Sequence, residues 1–272
     1  AGASLEQLAL MDNFCWCSSN EAERLGQLKE AVKACYDTAV AFGTPFISGK
    51  DSMFNDFKGY DADGNPVKIS VPPTLLVSSI GVMEDARKAV SLDAKFAGDL
   101  VYILGETHDE LGASEYFAMV GEEQRGERYI GNAVPRVDTQ KNKGLYGALS
   151  QAIEKGAVAS AQSVHRGGLA VALAKTAMGG ILGIDVSLEN LPGTASRDDF
   201  RLYSESQGRI VVTVAPEYKD RFEGIICRQE FSHIGQVTDN GSFVIRGTEG
   251  NEVVNTTIDS MLRSYKATLG EY

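Results

Sequence analysis

The segment from Gly49 to Ser52 places several groups that could bind a ligand next to one another. Four consecutive residues, Gly49, Lys50, Asp51 and Ser52, supply a flexible backbone, a cation, a carboxylate and a hydroxyl. Lys50 can neutralise phosphate oxygens, Asp51 can hold a hard cation such as Mg²⁺, and Ser52 can donate a hydrogen bond. The pattern favours a phosphate or magnesium-phosphate ligand, and a solvated turn is the alternative interpretation.

This segment does not fit the Walker A loop, whose pattern is G-x-x-x-x-G-K-[ST]. One residue too many separates Gly43 from Gly49, and Asp51 stands where a hydroxyl must reach magnesium. Pro45 also removes one backbone N–H that a phosphate cradle would use. We therefore exclude a P-loop.

A second candidate lies at Asp12 and Asn13, directly after the apolar run Leu8 to Leu10. A carboxylate and an amide at the end of a strand are typical of the edge where α/β folds gather ligands. An Asx-turn is the competing interpretation, and for this segment alone we favour it.

Two later segments also carry polar groups that could meet a ligand. Arg166 and the glycines after it precede a predicted helix, whose first N–H groups could receive an anion, although a structural role is favoured here. Glu205, Ser206 and Gln207 precede a predicted strand and would suit a polar substrate, or else form the charged rim of a hairpin. His165 has no partners that would complete a Ser/His/Asp or Cys/His arrangement.

The elements around the first two candidates are predicted from periodicity and turn residues. Apolar residues at three- and four-residue steps from Leu25 to Phe42 predict a helix, with N-caps offered by residues 18–20 and an end at Gly43. A short strand over residues 45–48 should lead into a turn at Gly49. Residues 55–66 predict a surface loop, and residues 74–83 predict a buried strand.

A new α/β pattern begins near Lys95, so we place a domain boundary there and predict domains over residues 1–94 and 95–272. Strands are predicted at 100–104, 184–188 and 210–214, and helices at 110–120, 143–155, 168–178, from Pro216, and at 258–265. Asp239-Asn240-Gly241 between two apolar runs predicts a β-hairpin.

Composition excludes several classes of protein. A net charge of -11 disfavours nucleic acid as a partner, and no apolar run approaches the ~20 residues that span a bilayer. The first residues lack the features of a secretory signal, so a cytoplasmic location is expected. The four cysteines form no paired C-x-x-C motif, which favours reduced thiols over a zinc site.

Taken together, these segments resemble the second synthetase half of the phosphoribosylformylglycinamidine synthase family. The resemblance rests on the order and spacing of several motifs and covers nearly the whole chain. These motifs are Asp12 to Trp16, Gly49 to Met53, Gly98 to Val101, Leu111 to Tyr116, Arg166 to Leu173 and Ser204 to Arg209.

The resemblance implies a mixed α/β fold like that of aminoimidazole ribonucleotide synthetase. A partial N-terminal domain, whose strands form a barrel-like interface with a partner half, would precede a C-terminal α/β domain. It also implies a ligase activity of purine biosynthesis that uses ATP and Mg²⁺. ATP would phosphorylate the formyl amide oxygen of formylglycinamide ribonucleotide, and ammonia from a glutamine amidotransferase domain or subunit would displace the phosphate.

Carried over by position, Asp12 and Gly49 would contact ATP, and Lys50 would meet its phosphates. Asp51 is predicted to bind the nucleotide through the metal, because its carboxylate can hold a hard cation. Ser52 would contact the ribonucleotide. Glu205, Ser206 and Gln207 match a substrate-contacting triplet that the family has in its first half. Where small forms of the family have a magnesium-binding asparagine, this chain has Lys50, as larger forms do, which would meet phosphate directly.

Two departures from the family pattern shape the remaining expectations. At the positions that match the family motif, residues 163–168 do not have the Asp and Ser that serve an auxiliary nucleotide in many large forms. The chain also lacks the catalytic histidine segment of the first half. No catalytic residue is therefore assigned, and the isolated chain is expected to be inactive. Its exposed sheet edge could also pair with a second copy to form a homodimer. The alternatives are a non-catalytic half that supports assembly and a related synthetase or kinase of the same fold.

Overall fold

The computed structural model describes residues 1–268 and residue 270, and it divides the chain into two compact units. The N-terminal unit comprises Ala3–Glu84, and the C-terminal unit comprises the residues from Asp85 onward together with Ala1 and Gly2. This division falls before residue 95, and the predicted domain boundary there stays a prediction. None of the described helices is long and apolar enough to cross a membrane.

The N-terminal unit is built on a three-stranded sheet and one long helix. Its elements are β1 (Leu8–Cys15), α1 (Ala22–Phe42), β2 (Phe46–Ser52), β3 (Asp56–Tyr60), β4 (Pro66–Ser70) and β5 (Thr74–Gly81). The sheet has the order β2-β1-β5, in which β1 runs parallel to β2 and antiparallel to β5. The helix α1 is thus the crossover of a βαβ unit, and β3 pairs with β4 in a separate ribbon.

The predicted helix is confirmed, and it ends where Gly43 adopts a left-handed conformation with φ of 74°. Its start differs from the prediction, since the N-cap is Glu21 and no side chain caps the first turn. Trp16 instead fixes this end of the helix, because its indole N–H donates to the Arg24 carbonyl at 3.0 Å.

The turn predicted at Gly49 is wrong, because residues 49–52 continue β2. Asp12 and Asn13 likewise lie inside β1 rather than after it, and they pair with Gly49 and Lys50. The polar composition of this segment is typical of turns, but β1 offers it a continuous parallel partner. Pairing between strands distant in sequence therefore overrides the local preference.

Two further predictions in this unit need correction. Residues 56–60 and 66–70 form the ribbon of β3 and β4, so the predicted loop shrinks to the turn at residues 61–65, where Asp61 accepts the backbone N–H of Asp63 and Asn65. The strand β5 is present but is not buried, since Leu76 is 59% exposed and Ile80 is 54% exposed. An apolar run therefore identified the strand but not its burial.

The C-terminal unit has a seven-stranded sheet covered by helices on both faces. Its strands are β6 (Leu100–Leu104), β7 (Ser160–Ser163), β8 (Gly183–Ser187), β9 (Ile210–Val214), β10 (Phe231–Thr238), β11 (Ser242–Arg246) and β12 (Glu252–Thr257). Its helices are α2 (Glu115–Arg125), α3 (Thr139–Glu154), α4 (Gly168–Gly180), α5 (Asp198–Tyr203), α6 (Lys219–Ile226) and α7 (Ile258–Ala267). The strand order is β12-β11-β8-β10-β6-β9-β7.

Side chains of β6 show how the two faces are filled. Val101 and Ile103 join the cluster beneath α4 and α7, whereas Tyr102 and Leu104 join the cluster beneath α3 and α6. This alternation follows from the two-residue period of a strand, and all four side chains are fully buried. The predicted mixed α/β fold is confirmed.

The helix predicted from residue 110 begins later, at Glu115. The hydroxyl of Ser114 accepts the N–H of Phe117 at 3.1 Å and caps the helix, while Ala113 has a positive φ of 60° that ends the preceding loop. Cap geometry thus outweighs the apolar spacing of residues 110–114.

The predicted hairpin is wrong, although its turn is present. Gly241 has a φ of 68°, and the side chain of Asn240 accepts the N–H of Ser242 at 3.0 Å. However, β10 and β11 both pair with β8, which lies between them, antiparallel to β10 and parallel to β11. Ile184 and Val186 of β8 are almost fully buried by this central position. The turn fixes a reversal of direction, and burial of β8 decides the pairing.

Asp99 gives the C-terminal unit a testable dependence on pH. This residue is 2% exposed, and its Oδ2 has no hydrogen-bond partner. Burial raises the pKa of the Asp99 carboxyl above its usual range, opposed by a backbone hydrogen bond from Phe96. Its contribution to stability is therefore full below the unfolded-state pKa and is lost as pH rises through the folded-state pKa.

We expect Asp99→Asn, which cannot ionise, to gain stability relative to the wild type as pH rises from about 3 to 7. Chemical denaturation of both proteins across this range measures the difference in unfolding free energy. Comparing the two proteins cancels the titration of the other carboxylates. A difference that stays constant with pH would show that Asp99 does not titrate in this way.

Candidate functional site

In the N-terminal unit, the carboxylate of Asp12 lies directly against the backbone of Gly49. A β-carbon placed at Gly49 would stand 2.5 Å from Oδ1 and 3.0 Å from Cγ of Asp12. Parallel pairing of β1 with β2 creates this contact, because Asp12 and Gly49 are opposite one another. Glycine is therefore needed here for space and not for turn flexibility.

Pairing also divides the predicted site residues between the two faces of the sheet. Asp12 and Phe14 lie on one face of β1, and their partners Gly49 and Asp51 share that face. Phe14 packs with residues of α1, so this is the face that α1 covers. The Asp12 and Asp51 carboxylates thus lie on the same side of the sheet.

The position of Asp12 beside α1 has an electrostatic effect on Cys35 of that helix. Burial raises the pKa of the Cys35 thiol, and the negative charge of Asp12 raises it further. This thiol is consequently held in its protonated, unreactive form at neutral pH.

Lys50 and Ser52 lie on the opposite face of the sheet, where the ammonium of Lys50 donates to the hydroxyl of Ser52 at 2.5 Å. Their pairing partners on β1 are Asn13 and Cys15. The sequence placed Lys50 and Asp51 together in one turn, whereas the strand directs them to opposite sides. Since β2 is an edge strand, its open side gives access to both faces.

Metal binding by these residues would depend on a bound nucleotide. Within the part of the chain that the structure describes, no group of three or more His, Cys, Asp or Glu side chains could hold a metal ion. Mg²⁺ is commonly held by one or two carboxylates together with phosphate oxygens. Asp51 fits that role only with a bound nucleotide supplying the remaining ligands.

The C-terminal unit contains a cavity of about 510 Å³ whose lining is partly polar and partly apolar. It lies beyond the end of β6, between the start of α3, the segment before β9 and the end of α6. Its lining includes the polar side chains of Glu106, His108, Arg136, Lys141, Asn142, Ser206, Gln207, Arg228 and Gln229. The volume and the mixed lining suit a polar small molecule.

Of the three residues predicted in this unit, Ser206 and Gln207 line the cavity. Ser206 is 1% exposed, and its hydroxyl accepts the backbone N–H of His108 at 3.1 Å. Gln207 is exposed, and its amide donates to the Glu205 carbonyl at 2.9 Å. The structure therefore brings these two side chains to one cavity in different states of exposure.

Glu205 is placed differently, because it does not itself line the cavity. Its carboxylate accepts the N–H of Glu115 at 3.1 Å and the N–H of Gly167 at 2.9 Å. These groups lie at the N-termini of α2 and α4. The anion at the start of α4 is thus a side chain of the protein itself, while Arg166 pairs with the carboxylate of Glu115.

Arg209 was given no separate role by the sequence, yet it organises this region. It is 1% exposed and donates to Thr107 Oγ1 at 3.0 Å, to the Ser206 carbonyl at 3.0 Å and to the Ser204 carbonyl at 2.5 Å. Burial lowers the pKa of its guanidinium to about 10, which leaves it charged at neutral pH. The available clue was an arginine directly before a run of β-branched residues over 210–214.

Sequence and structure comparisons place this chain among known proteins. The family described as "AIR synthase related protein, C-terminal domain" matches residues 97–247. The PurL subunit of phosphoribosylformylglycinamidine synthase from Methanocaldococcus jannaschii is 33% identical over 267 residues. That match covers 97% of this chain and 34% of the relative, so the chain spans about a third of the relative's length.

Solved structures share the fold at lower identity. Thermotoga maritima PurL complexed with FGAR superimposes with a TM-score of 0.71 at 19% identity, covering 96% of this chain and 40% of PurL. The same protein complexed with ATP gives a TM-score of 0.65 at 18% identity, covering 96% and 38%. E. coli HypE gives a TM-score of 0.60 at 16% identity, covering 92% of this chain and 72% of HypE. The family match extends over more than half of the chain, which therefore belongs to the AIR synthase-related family and is homologous to PurL.

Proposed function

We propose that this chain forms part of a phosphoribosylformylglycinamidine synthase, an ATP-dependent ligase that converts formylglycinamide ribonucleotide and glutamine-derived ammonia to the amidine. The contact between Asp12 and Gly49 carries this proposal. The space between Gly49 and the Asp12 carboxylate is too small for a β-carbon. Gly49 lies on the edge strand β2, which also carries Lys50, Asp51 and Ser52. The homologous PurL of T. maritima has been crystallised with ATP and with FGAR, which supports both ligands.

In this proposal, ATP approaches from the open side of β2. Asp12, Gly49 and Asp51 would meet it on the face beside α1, and Asp51 is the residue that would hold Mg²⁺, which would help to neutralise the phosphate charge. Lys50 reaches the phosphates from the other face, where Ser52 contacts the ribonucleotide. Among the cavity residues of the C-terminal unit, Ser206 and Gln207 are proposed to contact the substrate.

The partner proposed for the N-terminal unit is the first synthetase half. The sheet face opposite α1 carries Leu76 and Ile80, both more than half exposed. Large apolar side chains exposed on a sheet are typical of a surface that a protein partner covers. A glutamine amidotransferase domain or subunit would supply ammonia, and a PurLQS complex has been solved for T. maritima.

The activity itself can be tested by combining this chain with a first synthetase half and an ammonium salt. We expect ADP release that requires both formylglycinamide ribonucleotide and this chain. Mass spectrometry of the amidine product identifies the reaction. ADP release that does not depend on the ribonucleotide would point to a related kinase of the same fold, and absence of MgATP binding would contradict the proposal.

Lys50→Met provides a sharper test of the nucleotide site. A hydrogen bond to a charged group contributes about 1.5–3 kcal/mol, so MgATP affinity should fall roughly 10–100-fold. Calorimetric titration of the assembled enzyme measures this change. Lys29→Met, which removes an exposed lysine from α1, is the matched control and should leave the affinity unchanged. If the two variants bound MgATP with equal affinity, Lys50 would not contact the nucleotide.

A further inference from the structure

The segment from Ser204 to Gly208 is held against the segment from Thr107 to Glu110 by several hydrogen bonds. The backbone N–H of Glu205 donates to the Glu110 carbonyl at 3.2 Å, and the Ser204 hydroxyl donates to the same carbonyl at 3.3 Å. The Ser206 hydroxyl accepts the His108 N–H. These contacts join the two walls of the cavity on which Ser206 and His108 lie.

The side chain of Glu205 extends this junction to two helices. One oxygen, Oε1, accepts N–H groups at the start of both α2 and α4. A carboxylate is favoured there because the first N–H groups of a helix lack partners within the helix and carry partial positive charge. Glu205 therefore links the segment that carries Ser206 to both helices.

We propose that Glu205 is a positioning residue, which fixes Ser206 and Gln207 in the cavity by capping α2 and α4 and does not itself contact a ligand. This inference goes further than the proposed function and relies on it only for taking Ser206 and Gln207 as ligand-facing. It also differs from the role that the family resemblance implied for Glu205. The important property is an acceptor oxygen at one position, which glutamine can also supply.

The first measurement follows the His108 amide proton, which reports the position of Ser206. In Glu205→Ala, hydrogen exchange at His108 should accelerate about tenfold or more, since a hydrogen bond to a charged group is lost at each helix. In Glu205→Gln the rate should stay within about threefold of the wild type, because Oε1 can still accept. The Val212 amide in the sheet serves as an internal reference, and Glu154→Ala is the matched control for a lost exposed carboxylate.

The second measurement is the affinity for formylglycinamide ribonucleotide in the enzyme assembled with its first half. Glu205→Ala should weaken it about tenfold, whereas Glu205→Gln should retain it, consistent with an effect transmitted through Ser206 and Gln207. Equal loss in both variants would show that the ligand contacts the charge of Glu205 and would overturn the proposal. A lower melting temperature with unchanged exchange at His108 would show a purely structural role and would overturn it as well.

The two measurements separate this inference from the proposed function. If the wild type does not bind the ribonucleotide, the proposed function fails, while exchange at His108 still decides whether Glu205 positions Ser206. If Glu205→Ala does not fold, Glu205→Asp takes its place. Its shorter side chain keeps the charge but cannot reach both N–H groups, so it should also accelerate exchange at His108. An unchanged rate in that variant would overturn the proposal.

Discussion

Replacing Arg209 with methionine will lower the unfolding free energy of the C-terminal unit by about 3 kcal/mol, which is large against the total stability of a domain. Methionine relieves the cost of burying a charge, and such relief alone can stabilise a protein. Here, however, it leaves Thr107 and the carbonyls of Ser204 and Ser206 without their donor. Glu110 and Glu205 also lose the nearby positive charge that compensates them.

Chemical denaturation measures this loss, with two further variants as references. Arg263→Met removes an exposed arginine from α7 and should change stability by less than about 0.5 kcal/mol. Arg209→Lys keeps the charge but not the planar fork of donors, so an intermediate loss is expected. If Arg209→Met were as stable as the wild type, the desolvation cost of the guanidinium would match the value of all its hydrogen bonds.

The Arg209 network also shows why part of the site could not be predicted from the sequence. The strand after Arg209 was predicted at its observed bounds, because residues 210–214 are all β-branched, as is typical of strands. The hydrogen-bond partners of Arg209 could not be predicted in this way. Thr107 lies about a hundred residues away and is brought near only by the pairing of β6 with β9. Local patterns identify elements, whereas contacts between distant elements decide what a polar side chain does.

The same distinction explains the errors at Gly49 and at Asn240. Glycine, aspartate and asparagine favour turns through their own conformations, and Asn240 does form one. At Gly49 the preference yields to β1, which pairs along the whole polar segment. At Asn240 the turn survives but β8 separates the strands on either side. In both places the strand that determines the pairing is remote in sequence. Local residue types therefore indicated the turn preference correctly but could not predict which strand lies alongside.

The largest effect on the nucleotide site is expected from Gly49→Ala. The new methyl group would stand 2.5 Å from Asp12 Oδ1, too close for any real contact, so the carboxylate or the strand must move. Overpacking of this kind costs about 1–3 kcal/mol of stability. Because Asp12 and Gly49 are both proposed to contact ATP, MgATP affinity should fall at least about tenfold, as when a charged hydrogen bond is lost.

Gly26→Ala is the matched control in the same unit. Nothing lies within 4 Å of a β-carbon at Gly26, which is inside α1. Alanine is favoured over glycine in a helix by about 1 kcal/mol, so this variant should be slightly more stable and bind MgATP as the wild type does. Calorimetry and chemical denaturation on both variants separate the effect of the contact from the general effect of adding a methyl group.

Combining Gly49→Ala with Asp12→Ala tests whether the two residues act through one contact. Removing the carboxylate also removes the clash, so the double variant should recover most of the stability that Gly49→Ala loses, giving a coupling energy of about 1 kcal/mol or more. Its MgATP affinity should not recover, since the Asp12 carboxylate is then missing. Recovery of both would mean that Asp12 serves only to fill space beside Gly49. Recovery of stability alone would establish that the carboxylate, held in place because residue 49 has no side chain, takes part in binding the nucleotide.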